Sequence, residues 1–173
     1  MGHAIPPRVQ AALWAVAVRL DRAGVRWLVA GSTARALMGF AVRPVDLDIE
    51  VATSDADLAA STLAVTLARD DGGGWTSRRG ATTIAGVSVD LSSAVTAGSL
   101  ASDDETLFTA SVPVGAGARQ LLVLSVEEQL CRAMAAGAWG RVAKITTGVP
   151  AGLQLDLGQI SRRLSRPGTA TAE

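Results

Sequence analysis

The sequence has no tyrosine, two phenylalanines, one cysteine and one lysine among its 173 residues. The single cysteine, Cys131, excludes an internal disulfide and a zinc site built from several thiolates. Aromatic residues are too few for the platforms that stack single-stranded nucleic acid. The 16 basic and 16 acidic residues cancel, so net charge does not draw the chain to nucleic acid or to anionic lipid. These features give no strong indication of a nucleic-acid partner.

Long apolar runs are also missing, and none approaches the roughly 20 residues that cross a bilayer. The apolar stretch 11–18 is short and charged residues follow it at once, unlike a signal peptide. We therefore expect a cytoplasmic protein with no membrane partner. Because 49% of the residues are hydrophobic, a chain of this length can form one domain with a substantial core. We expect this domain over residues 1–165 and a flexible tail over 166–173.

Hydrophobic periodicity predicts strands interspersed with helices, hence an α/β or α+β fold with one sheet covered by helices. The pattern predicts a first helix that ends at Gly24, and Ser125 with Glu128 is typical of a capping box that opens another helix. Other predicted helices cover about 56–68 and 153–164. Predicted strands cover 27–30, 86–91, 107–114 and 121–124, and 96–105 is predicted to be a loop.

The stretch from Trp27 to Val51 organises the rest of the chain. A buried strand ends at Gly31-Ser32, a short helix follows over 33–38, and a turn at Arg43-Pro44 leads into a strand with Asp46 and Asp48. Residues two apart on a strand point to the same side, so both carboxylates face one way, while Val45, Leu47 and Ile49 are predicted to face the core.

The later strand GVSVDL adds a third carboxylate, Asp90, on its polar side. Carboxylate oxygens suit Mg²⁺ or Mn²⁺, and three of them can hold one or two ions that bridge a triphosphate and activate a hydroxyl. Taken singly, an Asp-x-Asp on a strand is more often a solvated edge and a Gly-Ser more often a turn. The combination and its order favour a metal site, because Asp is also a poor strand residue.

This pattern resembles the nucleotidyltransferase superfamily of the DNA-polymerase-β type. The run GSTARALMGFAVRPVDLDIEV is most similar to small lincosamide and aminoglycoside nucleotidyltransferases and to AbiEii-like enzymes, and SVEEQLCRAMAAG is similar to the helix that follows their core. The resemblance implies a mixed β-sheet flanked by helices, here with short C-terminal helices. It also implies a transferase that moves a nucleoside monophosphate, AMP from ATP or another NTP, to a hydroxyl of a small molecule, a protein or an RNA end.

The resemblance also implies roles for individual residues. Gly31 and Ser32 would hold the nucleotide phosphates, and Asp46, Asp48 and Asp90 would bind the metals and carry the catalysis. Arg43 would pair with a phosphate. A nucleotide contact from Arg132, and Glu127 as an alternative base, are further hypotheses. The chain departs from the antibiotic enzymes, because it has Gly-Ser where they usually have Gly-Gly and because it lacks their long C-terminal helical domain.

Two other interpretations stay open at the level of sequence. The chain is a catalytically silent binding or regulatory protein of the same fold, such as one partner of a toxin–antitoxin pair, or it is a plain α/β domain with surface acids. A homodimer or a cognate partner protein would supply the acceptor surface that the short chain lacks, and antibiotic resistance is one physiological setting that the resemblance suggests.

Overall fold

A computed structural model describes residues 5–101, 103–116 and 119–166. The predicted tail therefore lies outside the described residues from position 167 onward. Seven α-helices and eight strands are present in these ranges. The helices are α1 Pro7–Ala23, α2 Gly31–Leu37, α3 Ala56–Leu63, α4 Asp104–Thr109, α5 Val126–Ala135, α6 Trp139–Thr147 and α7 Leu157–Ser165. The strands are β1 Trp27–Val29, β2 Leu47–Val51, β3 Ala68–Gly72, β4 Trp75–Ile84, β5 Val87–Ala97, β6 Leu100–Ala101, β7 Ser111–Ala116 and β8 Arg119–Leu124.

The strands form one mixed sheet in the order β3-β4-β5-β2-β1-β8-β7, with β6 paired to β5. The pairs β2–β5 and β1–β8 are parallel, and the other pairs are antiparallel. This confirms the predicted mixed α/β architecture of a nucleotidyltransferase-like fold. None of the helices in the described ranges combines the length and apolar character of a membrane span.

The alternation of side chains along β2 and β5 sends apolar residues to one face of the sheet. Leu47, Ile49, Val89 and Leu91 are fully buried there, and they pack with α1 and α3 in the main hydrophobic cluster. A second cluster on the C-terminal helices contains Cys131, which is buried as a core residue. Each fully buried side chain of this size contributes about 1.5–3 kcal/mol by leaving water, so the apolar face fixes which way the polar residues of β2 and β5 must point.

Several sequence-based boundaries are wrong, and local capping explains most of them. The strand predicted over 107–114 begins only at Ser111, because Asp103 caps α4 by accepting a hydrogen bond from the Thr106 backbone N–H (2.7 Å). The end of β5, the strand β6 and the start of that helix also replace more than half of the predicted loop over 96–105. The helix predicted over 153–164 starts at Leu157, after the Asp156 cap.

Three further differences concern the end of α3, an additional helix and the residue Val45. The helix predicted over 56–68 stops at Leu63, where Ala64 adopts a left-handed conformation (φ 56°). Helix α6 was not predicted, because only Ile145 on it is buried and its apolar pattern is short. Val45 precedes β2 and is 63% exposed, so the prediction that it faces the core is wrong.

Candidate active site

A cleft of about 580 Å³ lies on the polar face of β2 and β5. Residues of β2, β4 and β5 form its floor, and residues of α2, α5 and α6 form its walls. The predicted acids Asp46, Asp48 and Asp90 all line it, as do Gly31 and Ser32. The structure therefore brings five of the six predicted site residues to one place.

The register between two parallel strands sets the separation of two of the acids. Asp48 on β2 pairs directly with Asp90 on β5, so their backbones lie about 4.8 Å apart, as neighbouring strands do. Asp46 comes immediately before β2 and faces the same cleft. Two of the three carboxylates therefore come from adjacent strands, the third comes from the residue immediately before β2, and all three line one cleft.

The pKa of Asp48 is raised by burial and by the neighbouring negative charges. Burial, and then the charges of Asp46 and Asp90, raise the pKa of Asp48 from 3.8 to about 6. A carboxylate whose neighbours are also carboxylates favours the protonated form. A divalent cation would remove this repulsion, and hard oxygen ligands are those that Mg²⁺ prefers. The donor set thus fits the metal that the sequence predicts.

The turn at Gly31-Ser32 packs directly against these acids. Gly31 has a positive φ of 60°, and a Cβ at this position would overlap the Asp48 carboxylate. Glycine is therefore required here both by its conformation and by the lack of space. The Ser32 hydroxyl donates a hydrogen bond to Asp46 Oδ1 (3.4 Å), and the Thr33 hydroxyl donates one to the Asp46 carbonyl (2.9 Å). These bonds hold the start of α2 against the end of the turn before β2.

Asp90 is held by an arginine of the neighbouring strand. The Arg79 guanidinium lies 3.2 Å from Asp90 and 3.3 Å from Asp70 of β3. Within the described ranges, no three His, Cys, Asp or Glu side chains form a ready-made metal cluster. Arg79 thus engages one oxygen of the Asp90 carboxylate and would compete with a metal ion for it.

Beneath the cleft runs a buried chain of ion pairs that sequence reasoning missed. Arg132 of α5 pairs with Glu50 of β2 (2.8 Å) and with Glu128 (3.0 Å), and Arg163 of α7 pairs with Glu128 (3.0 Å). The Glu50, Arg132 and Glu128 side chains are at most 4% exposed. Two acids and two bases leave this chain neutral, so it can be buried. Asp46, Asp48 and Glu50 alternate with apolar residues, and this pattern could have predicted that Glu50 lies on the same face as the two aspartates.

The remaining predicted residues lie elsewhere. Arg43 is exposed and is not among the residues that line the cleft. Glu127 accepts a hydrogen bond from the Asp156 backbone N–H (3.2 Å) and lines a separate hollow with Leu37 and Leu153. Arg132 lies at the base of the cleft, where its guanidinium is engaged by two carboxylates.

Three cations that sequence reasoning did not consider line the walls: Arg35, Arg141 and Lys144. Arg35 donates a hydrogen bond to Gln129 Oε1 (3.0 Å). Among the described residues, none of these three cations belongs to a salt bridge within 4.0 Å. The cleft thus combines an acidic floor with a basic wall, which is the charge pattern that a metal–polyphosphate ligand requires.

Comparison with known proteins gives a fold match. No protein-family model matches the sequence, and no curated protein matches it. A candidate nucleotidyltransferase from Thermotoga maritima is 25% identical, with a TM-score of 0.67 over 84% of this chain and 92% of its own. The aminoglycoside enzyme ANT(2″)-Ia, solved with adenylyl-2″-tobramycin, is 11% identical, with a TM-score of 0.54 over 90% of this chain and 95% of its own.

These matches agree with the site geometry. Both structures cover most of this chain. The predicted order of motifs is present in the fold, with two differences from the sequence-based prediction: Gly31 and Ser32 begin α2, and Asp46 comes immediately before β2. The chain belongs to the nucleotidyltransferase-fold superfamily.

Proposed function

We propose that the protein is a metal-dependent nucleotidyltransferase that moves a nucleoside monophosphate from an NTP, ATP in the first instance, to a hydroxyl group, with release of pyrophosphate. The acceptor hydroxyl belongs to a small molecule, a protein or an RNA end. One observation carries the proposal: the carboxylates of Asp46, Asp48 and Asp90 share a cleft with the start of α2 and a basic wall.

The acids would hold the divalent ions. Asp46, Asp48 and Asp90 supply only oxygen ligands, and the raised pKa of Asp48 reflects burial and then the negative charge of its neighbours, which Arg141 and Arg79 offset only in part. Bound Mg²⁺ would neutralise the phosphates and lower the pKa of the acceptor hydroxyl. Asp90, which pairs with Arg79 through one carboxylate oxygen, would complete the ligand set or take the acceptor proton.

The other residues would position the triphosphate. The Asp48 carboxylate occupies the space where a side chain at position 31 would lie, so the first turn of α2 sits directly beside the acids and the ligand that they would hold. Ser32 offers a hydroxyl, and Arg35, Arg141 and Lys144 offer positive charge from the opposite wall. Guanidinium groups bind phosphate oxygens with strong, charge-assisted hydrogen bonds.

The reaction balances without a further reactant. The acceptor oxygen forms a bond to the α-phosphorus, and the bond from that phosphorus to the oxygen bridging to the β-phosphate breaks. Pyrophosphate leaves, and the hydroxyl proton passes to a carboxylate or to water. The positioning of the reactants and the stabilisation of charge supply most of the catalysis in phosphoryl transfer.

Binding of a non-hydrolysable ATP analogue with Mg²⁺ tests the proposal without knowledge of the acceptor. We expect the analogue with Mg²⁺ to raise the melting temperature of the wild type, because a ligand of the native state stabilises it by mass action. Asp46→Asn and Asp48→Asn should lose most of this increase, and Asp57→Asn, which changes an exposed acid on α3, should keep it. Magnesium-dependent pyrophosphate release should follow the same order. A wild type that binds no NTP with Mg²⁺ present would end the proposal.

A further inference from the structure

One aromatic side chain lines the cleft with no part in the chemistry described above. Trp75, the first residue of β4, is partly exposed to the cleft. The Arg141 guanidinium of α6 lies over its ring, 5.1 Å from the ring centroid. Arg141 is itself exposed, and the Trp75 ring is its close contact. The two side chains therefore form a flat, positively charged surface at one end of the cleft.

A bend in the sheet brings this surface to the site. The β4–β5 pairing shifts between Thr76 and Arg78, and Ala94 on β5 has a positive φ of 50°. Such bulges bend and twist a strand pair. The bent end packs against the last turn of α5, where a Cβ at Gly74 or Gly98 would overlap the backbone of Ala136 or Ala135. This close packing holds Trp75 in place opposite α6.

The surface formed by Trp75 and Arg141 adjoins the basic wall of the cleft. Arg35 and Arg141 both line the cleft, and the charge of Arg141, after burial, contributes to the lowered pKa of Arg35. Arg35 projects from α2, the helix that begins with Gly31 and Ser32. A ligand with its phosphates at Gly31, Ser32 and Arg35 therefore has its remaining part within reach of Arg141 and Trp75.

We propose that Trp75 and Arg141 form the subsite that holds the nucleobase of the NTP by stacking. This inference rests on the proposed nucleotidyl transfer, and it assigns the recognition of the donor's base to a region of β4 and α6. Base–aromatic stacking accepts every base, because each has a π-face. The subsite therefore favours a nucleoside triphosphate over inorganic triphosphate, and it discriminates only weakly among the four bases.

Binding measurements that separate base from phosphates test this. Isothermal titration with Mg²⁺ present would use the α,β-methylene analogues of ATP and UTP and, separately, inorganic tripolyphosphate. The proteins are the wild type, Trp75→Leu, Trp75→Phe and Trp139→Leu. Trp139 is a matched control because it begins the same helix as Arg141, is 65% exposed and does not line the cleft.

We expect Trp75→Leu to bind both nucleotide analogues about tenfold more weakly or worse, as loss of one stacked base implies. Its affinity for tripolyphosphate should equal that of the wild type. Trp75→Phe should bind the nucleotide analogues with an affinity between those of Trp75→Leu and the wild type. Trp139→Leu should bind them with the affinity of the wild type. Equal loss for nucleotide and tripolyphosphate, or no loss for either, would overturn the inference and leave the proposed function standing. A wild type that binds none of the three ligands would overturn both.

Discussion

Replacement of Asp48 by asparagine should stabilise the protein in the absence of metal, and the gain should depend on pH. Burial, and then the charges of Asp46 and Asp90, raise the pKa of Asp48 from 3.8 to about 6. The folded state therefore holds a proton that the unfolded chain releases, so stability falls as pH rises from about 4 to about 6 and stays low above that. Asparagine keeps the size of the side chain beside Gly31 and removes the charge.

The magnitude follows from the two pKa values. At about 1.4 kcal/mol for each unit of pH between them, the ionised carboxylate costs at most about 3 kcal/mol at pH 8 and about 1 kcal/mol at pH 4.5. Solvent in the open cleft screens part of this cost, so these values are upper limits. Urea unfolding in EDTA at both pH values, followed by circular dichroism, would measure the gain in the free energy of unfolding.

The control is Asp57→Asn, because Asp57 is 85% exposed and forms only a surface ion pair with Arg78. Its effect should stay within about 0.5 kcal/mol at either pH. Addition of Mg²⁺ should stabilise the wild type and not Asp48→Asn. An equal gain at pH 4.5 and pH 8, or a loss of stability at pH 8, would refute the electrostatic reasoning.

Two further predictions concern arginines near the site. Arg79→Gln removes the ion pair that holds Asp90, so titration calorimetry with Mn²⁺ alone should show tighter binding than in the wild type. Arg78→Gln, which alters the neighbouring arginine that pairs with Asp57 outside the cleft, should not change it, and unaltered affinity in Arg79→Gln would contradict the prediction. Arg132→Met leaves Glu50 as a buried charge without its arginine, so urea unfolding should show a loss of about 3–5 kcal/mol. The double variant Glu50→Gln, Arg132→Met should recover part of that loss, and a loss under about 1 kcal/mol in the single variant would show that the pair is not desolvated.

The strands of the site could be predicted because two periodic patterns agree there. One face of β2 and β5 must be buried because it carries Leu47, Ile49, Val89 and Leu91. Since side chains alternate along a strand, Asp48 and Asp90 then lie on the other face. The parallel pairing of β2 with β5 could not be deduced from either strand alone, since it depends on the contacts of the whole sheet.

Residues that act through tertiary contact were missed. Glu50 and Arg132 are far apart in the sequence, and nothing local shows that they pair beneath the cleft. Trp75 and Arg141 meet only because the β4–β5 pair bends. Arg43 stands apart from the other predicted site residues: its position just before the acids predicts a phosphate contact, and in the structure it is exposed and not among the residues that line the cleft.

The pairing of Asp48 with Asp90 has a consequence for how the protein can vary. Hydrogen bonds between β2 and β5 fix the spacing of the two acids. The segment that connects these strands, residues 52–86, includes β4, which carries Trp75 and Arg79 in the floor of the cleft. Related proteins can therefore differ in the segment 52–86, and with it in the choice of ligand, while Asp48 and Asp90 keep their spacing. The condition is that β5 pairs with β2 in the same register, because a shift by one residue would turn the acids to the other face.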